Sequence, residues 1–177
     1  YGWVVTPIPE VRKAKVKFEI MTDDILRESA IELGIYMPER EYKMADLITV
    51  GIMNNKFFCT EYSRKYIKNI NKTMDVNNVI YIDSAKPSPQ LSYKIEIDLN
   101  IPNNYYKLWI NGCLANSKGK DTFLLTKRFT YMNAFSLHIG DAGSRQTYSQ
   151  KLKNYKKDDL KITEPLETYY KNIKILV

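Results

Sequence analysis

The chain has 177 residues, 44% of them hydrophobic, with a formal net charge of +7. That length and composition exclude a globally disordered chain and allow one domain with a proper core. No apolar run approaches the ~20 residues needed to cross a bilayer. The cysteines, Cys59 and Cys113, stand far apart without Cys-x-x-Cys or Cys/His spacing; they fit one disulfide or two buried thiols, and buried thiols are the expectation.

The chain opens as YGWVVTPIPE, with Tyr1 and Trp3 beside valines and then Thr6-Pro7-Ile8-Pro9. An aromatic start followed by prolines has the character of a membrane helix leaving through its aromatic belt, so residues 1–10 read as a membrane-proximal segment. Residues 12–21 alternate cleanly. Ala14, Val16, Phe18 and Ile20 share one face and lysines with Glu19 the other, which predicts a half-buried strand. Thr22-Asp23-Asp24 offers capping oxygens and negative charge for a helix from Ile25 to Leu33, with Gly34 as its C-cap. Pro38, Glu39 and Glu41 predict a second helix, continued through residues 46–53 in preference to a short strand. A third helix is expected from Thr60 to Lys72, where Tyr62, Tyr66 and Ile70 recur at helical spacing.

From residue 78 the period changes. NVIYID (78–83) is a short strand, and LSYKIEIDL (91–99) alternates with Leu91, Tyr93, Ile95, Ile97 and Leu99 inward. Residues 105–139 read as three strands joined by turns at Asn116–Gly119 and Met132–Ala134. A basic helix is expected near residues 145–157, then a last helix or strand after Pro165. A strand, three helices, a run of strands and a helical tail predict an α+β domain, a curved antiparallel sheet with helices packed on one face.

The basic excess lies in residues 101–177, above all at Lys151, Lys153, Lys156, Lys157 and Lys161. Such a patch suits nucleic acid, an anionic membrane surface, an acidic partner, or simply solvent. Catalytic chemistry is harder to find. His138 could join Asp141 and Ser144, but three residues within one turn seldom give a triad its geometry, and pairing His138 with Cys59 has no better support. No cofactor or metal is expected: Asp23-Asp24 and Asp158-Asp159 lack ligand spacing, and Gly140–Gly143 lacks the Lys-Ser/Thr of a phosphate loop. Tyr93, Trp109, Phe129 and Tyr131, interleaved with Lys94, Lys107, Lys127 and Arg128, have the composition of a base-stacking platform, which makes nucleic-acid binding the alternative function.

Three segments carry a resemblance: TDDILRESAIELGIYM (22–37), TEYSRKYIKNI (60–70) and INGCLANSKGKDTFLLTKRFTYMNAFSLHI (110–139). The third supplies Ile110-Asn111-Gly112 with Leu114, then Gly119-Lys120, then Thr126-Lys127-Arg128 with Phe129-Thr130-Tyr131. Together they resemble the TraE family of F-type conjugation systems, related to the VirB-type inner-membrane scaffold proteins of type IV secretion. The resemblance spans residues 4–140; residues 141–177 go beyond the pattern. It implies a cone-shaped fold like nuclear transport factor two, in the periplasmic part of a single-pass inner-membrane protein anchored by an upstream helix. It further implies a non-catalytic role in assembly, through homo-oligomers and other secretion-system subunits. On that reading residues 1–10 are membrane-proximal, 11–140 form the periplasmic α+β domain and 141–177 a basic C-terminal extension. Ile31 and Tyr36 near the first helix and Tyr131 on the sheet are the candidate partner interface.

Overall fold

Alternation of apolar and charged side chains is realised in full where it is clearest. Val16, Phe18 and Ile20 are buried while Lys15 is exposed and Lys17 and Glu19 are half-buried on the opposite face, the period-two signature of a strand with one wet side. A computed structural model describes residues 2–39, 44–68, 71–125, 129–140 and 167–177. The strands are β1 (Gly2–Val11), β2 (Lys13–Thr22), β3 (Glu28–Tyr36), β4 (Met44–Met53), β5 (Lys56–Ile67) and β6 (Lys72–Tyr81). They continue as β7 (Tyr93–Asn100), β8 (Tyr105–Ile110), β9 (Cys113–Leu114), β10 (Phe123–Leu124), β11 (Met132–Gly140) and β12 (Thr168–Leu176).

All pairs are antiparallel. One sheet, here sheet A, runs β1-β11-β3-β4-β5-β6; the other, sheet B, runs β10-β8-β7-β2-β12 with β9 added to β8. The two face each other over a shared core in which Val16, Ile97, Leu99 and Leu108 of sheet B meet Ile31, Leu33, Ile52 and Cys59 of sheet A, each fully buried. This is a jelly-roll-like β-sandwich.

Tyrosines tie the layers together. Tyr106 of β8 donates its hydroxyl to the Thr60 carbonyl of β5 at 2.6 Å. Tyr93 of β7 meets Phe57 of β5 edge-on, with ring centroids 4.9 Å apart. The Tyr170 hydroxyl, from β12, lies 3.0 Å from the Ala30 carbonyl and 2.9 Å from that of His138. The Tyr106 and Tyr170 bonds each satisfy a polar handle that burial would otherwise penalise, and the Tyr93 hydroxyl accepts the Ser88 amide at 2.8 Å.

The α+β cone with helices on one face of a curved sheet is corrected by this architecture. Among the described residues there is no α-helix, and the stretches read as helices from Ile25, Pro38 and Thr60 are β3, β4 and β5. The physical reason is specific to each. β3 and the second half of β4 are buried on both faces, so their sequences show no alternation of apolar with polar residues. In β5, a spacing of four residues satisfies a strand as well as a helix, because even separations share a strand face. Asp24 does act as a cap, its Oδ1 accepting the Leu26 amide at 2.8 Å, but it closes a turn between strands. The basic helix expected at 145–157 lies outside the described residues.

Gly51 shows how closely β3 and β4 approach. A Cβ built there would sit 2.1 Å from the Ser29 carbonyl oxygen and 2.7 Å from Ala30 Cα, backbone atoms that cannot yield. At Gly112, by contrast, nothing lies within 4 Å and only its φ of +80° resists a side chain. Gly51→Ala is therefore expected to lower the unfolding free energy by about 3 kcal/mol in urea denaturation, and Gly112→Ala by about 1 kcal/mol.

Candidate functional site

Sheet B's central strands leave one face open, and the register sets what stands on it. Lys17 lies opposite Lys174 on β12 and opposite Glu96 on β7. Glu96 in turn opposes Trp109 on β8, which opposes Leu114 on β9. One row of side chains therefore crosses five strands, from an ammonium at one edge to an indole near the other. A neighbouring row carries Lys171, Glu19 and Lys94. Between these rows lies an open groove of about 630 Å³, floored by Phe18 and Ile95 and bounded by Trp109 and Gly112 at one end and Asn172 and Lys174 at the other.

Two local devices shape its ends. Asn111 and Gly112 have φ of +50° and +80°, the two positive values of a type I′ hairpin turn, for which Asn-Gly is the preferred pair. Asn111 Oδ1 accepts the Lys94 amide at 2.9 Å, and the Asn111 amide donates to the Lys94 carbonyl at 2.8 Å. This fixes the turn beside β7 and so fixes Trp109. At the other end the β12–β2 register shifts between Lys171 and Lys174, and Asn172 takes a φ of +53°. The bulge presents Asn172 outward, where its Nδ2 donates to Glu19 Oε1 at 2.9 Å.

The charges on this face are largely paired. Glu96 accepts from Lys17 at 2.8 Å and from Lys15 at 3.1 Å. The Lys17 hydrogen bond does most to hold the Glu96 carboxyl below its ordinary range, against a desolvation effect that raises it, with Lys15 assisting. Lysines still outnumber acids: Lys15, Lys17, Lys94, Lys107, Lys171 and Lys174 share the face with Glu19, Glu96 and Asp98.

Of the side chains singled out from sequence, Trp109, Lys94 and Lys107 stand on this face, Trp109 and Lys94 at the groove itself. Ile31 is fully buried between the sheets. Tyr36 is half-buried at the end of β3, its amide donating to Asn133 Oδ1 at 2.7 Å, and Tyr131 is half-buried just before β11. None of the three reaches the groove. Of the stacking aromatics, Tyr93 points into the core and Phe129 packs against it, while Trp109 stands on the open face. Lys151, Lys153, Lys156 and Lys157, with Asp141, Ser144, Lys127 and Arg128, lie outside the described residues. His138 sits opposite Trp3 and Ala30 on β11, with its buried Nε2 unpartnered among the described residues.

Cys59 and Cys113 are both free, the first buried and the second exposed. Burial pushes the Cys59 thiol up to about 12, only partly opposed by a hydrogen bond with Tyr106. That is the opposite of an activated nucleophile. Among the described residues no group of His, Cys, Asp or Glu is placed to hold a metal ion, and no helix is long and apolar enough to cross a membrane.

What sequence reasoning missed was the turn at Asn111-Gly112 and the bulge at Asn172. The first had an available signal, since Asn-Gly between apolar runs is the strongest short-range mark of a hairpin. The second had none, because a bulge depends on the partner strand.

No family model matches the chain, and no curated protein matches it. Solved structures match in fold. A sialidase superposes with a TM-score of 0.53 at 10% identity over 98% of this chain, which spans 14% of that one. An endo-β-1,4-glucuronan lyase from the fungus Trichoderma reesei gives 0.53 at 10% identity, covering 97% of this chain and 70% of that one. A tetrameric galectin from the sponge Cinachyrella sp. gives 0.53 at 8% identity, covering 99% and 100%. At such identities these likenesses show the fold alone, a two-sheet sandwich, and they do not bear on secretion, conjugation or localisation.

Two measurements check the site's electrostatics and thiols. Glu96 has a lowered folded-state pKa, so its contribution to stability is present above the unfolded carboxylate range and is lost as pH falls through the folded value. Glu96→Gln is expected to flatten the acid limb of a stability–pH curve by less than about 1 kcal/mol, since the pair is partly exposed. With a thiol reagent near pH 8, Cys113 should react in the folded protein and Cys59 only after unfolding.

Proposed function

We propose that this domain binds carbohydrate in the groove on the outer face of sheet B and that it does so without catalysing a reaction. One observation carries the reading: Trp109 stands at one end of a groove whose walls are fixed polar groups on paired strands. A saccharide presents an apolar ring face and a rim of hydroxyls that both donate and accept. An indole on a rigid strand offers area to the first at small entropic cost. Asn172, Glu19, Glu96, Lys94 and Lys17 offer the second a mixture of donors and acceptors already held in place. The groove is shallow and open, suited to a chain lying across the strands.

The fold neighbours agree with this without carrying it. Two are enzymes named for saccharides, a sialidase and a glucuronan lyase, and the third is a galectin; function is argued from a site and not from a sandwich shared at such low identity. The scaffold role expected from the TraE resemblance came with an α+β cone that this chain does not have, so the groove supports the present reading and the resemblance does not. Absence of catalysis is likewise part of the proposal. It is supported by the raised Cys59 thiol and by a groove whose carboxylates are engaged by ammonium and amide groups.

Binding to an array of immobilised glycans tests this, followed by titration of the best ligand in a Trp3→Phe background, where fluorescence reports Trp109. A saturable change in emission is expected, and Trp109→Ala should weaken binding by about 2 kcal/mol, roughly thirtyfold, with unchanged circular dichroism. Binding to no glycan would overturn the reading. Tight Trp109-dependent binding of single-stranded oligonucleotides in its place would favour the nucleic-acid alternative.

A further inference from the structure

Resting on the carbohydrate reading, we propose that the groove selects acidic saccharides, with an anionic group of the ligand seated between Lys17 and Lys174. The register places these two lysines directly opposite each other across β2 and β12. Directly opposed side chains stand about 5 Å apart at Cβ, and like charges in that position destabilise a sheet. Nothing on the face relieves the opposition fully. Glu96 is shared, accepting from Lys17 at 2.8 Å and from Lys15 at 3.1 Å, so one carboxylate serves two ammonium groups. Glu19, the acid of the adjacent row, is engaged by Asn172 at 2.9 Å. Lys174 makes no ion pair with any described residue. The β12 end of the groove therefore carries unneutralised positive charge beside a bulge that holds it open.

Geometry sets the size of the ligand. From Trp109 on β8 to Lys174 on β12 the row crosses β7 and β2, three strand intervals, or about 14 Å. That separation accommodates a short oligosaccharide with one ring on the indole and the anion of another ring between the lysines. An ammonium is a compact charge with no planar preference, so a uronate carboxylate and a sulfate ester fit the same seat. The two sources share one chemistry and are separated by experiment.

Oligogalacturonate, sulfated carrageenan oligosaccharides and a neutral oligosaccharide of equal length are titrated against the full chain at about 0.15 M salt, where exposed charges are screened beyond ~8 Å. At least one anionic ligand is expected to bind about tenfold or more tightly than the neutral one, and the tighter of the two identifies the anion. Lys174→Gln should lose about tenfold for that ligand and so remove most of its advantage over the neutral one. Lys107→Gln, on the same face but outside the groove, should lose less than twofold. Because Lys174→Gln removes a like-charge opposition, its melting temperature should not fall, which separates lost binding from lost folding. Equal affinity for neutral and acidic ligands overturns this inference and leaves the carbohydrate reading standing. Binding of none of the three, with an empty glycan array, removes that reading itself. Acidic binding that survives Trp109→Ala and Lys174→Gln but vanishes when Lys151, Lys153, Lys156 and Lys157 become glutamine overturns the inference in favour of a charge-only contact elsewhere.

Discussion

The antiparallel pairing of β2 with β7 is the constraint on which both the core and the groove depend. Its register runs from Lys13 opposite Asn100 to Ile20 opposite Tyr93. That alignment sends Val16, Phe18, Ile95 and Ile97 inward, where all are buried, and sends Lys17, Glu19, Lys94 and Glu96 outward. Because side chains alternate strictly, a slip of one residue would place four charges in the core and four apolar groups in water. The hydrophobic penalty for such a slip is many times the worth of any single surface ion pair. The charge pattern of the groove is thus enforced from beneath, by the core.

The polar face therefore need not contribute much to stability. Ion pairs such as those of Glu96 with Lys15 and Lys17 are partly exposed, and each contributes at most about 1 kcal/mol. Exchanging part of such a pair for a ligand group costs correspondingly little, while the strands beneath stay put. Rigidity comes from the tyrosine links between sheets and from the Asn111-Gly112 turn that fixes Trp109. A site on paired strands is already ordered before a ligand arrives, so association loses less conformational entropy than it would on a loop.

β2 and β7 of sheet B were legible in the sequence and β3 and β4 of sheet A were not, for one physical reason. β2 and β7 are wet on one side, so solvent writes the period of two into the residues, and the inward faces of 12–21 and 91–99 could be read directly; Leu91, expected inward, is exposed just before β7. β3 and β4 are buried on both faces, and residues such as Ala30, Gly34 and Gly51 are chosen for close backbone approach. Their Ala- and Leu-bearing runs then imitate helices. Trp109 could be singled out as one aromatic of a stacking platform, although a core position suited its pattern as well. Its relation to Lys17 and Lys174 could not, because those residues are joined only through the order β8-β7-β2-β12, which no local pattern reveals.

That strand order also has a kinetic meaning. β12 joins β2 across a separation that runs from Lys15 to Leu176, among the longest loop closures the fold contains, and contacts so distant in sequence form slowly. Until β12 docks, the rest of sheet B can be complete yet still present β2 as a bare edge, a row of unpaired amides and carbonyls open to pairing with another chain. Lys13, Lys15 and Lys17 stand along that edge, and their mutual repulsion between molecules would keep two such intermediates apart. Lys17, proposed to receive a ligand in the finished domain, would thus also guard the unfinished one.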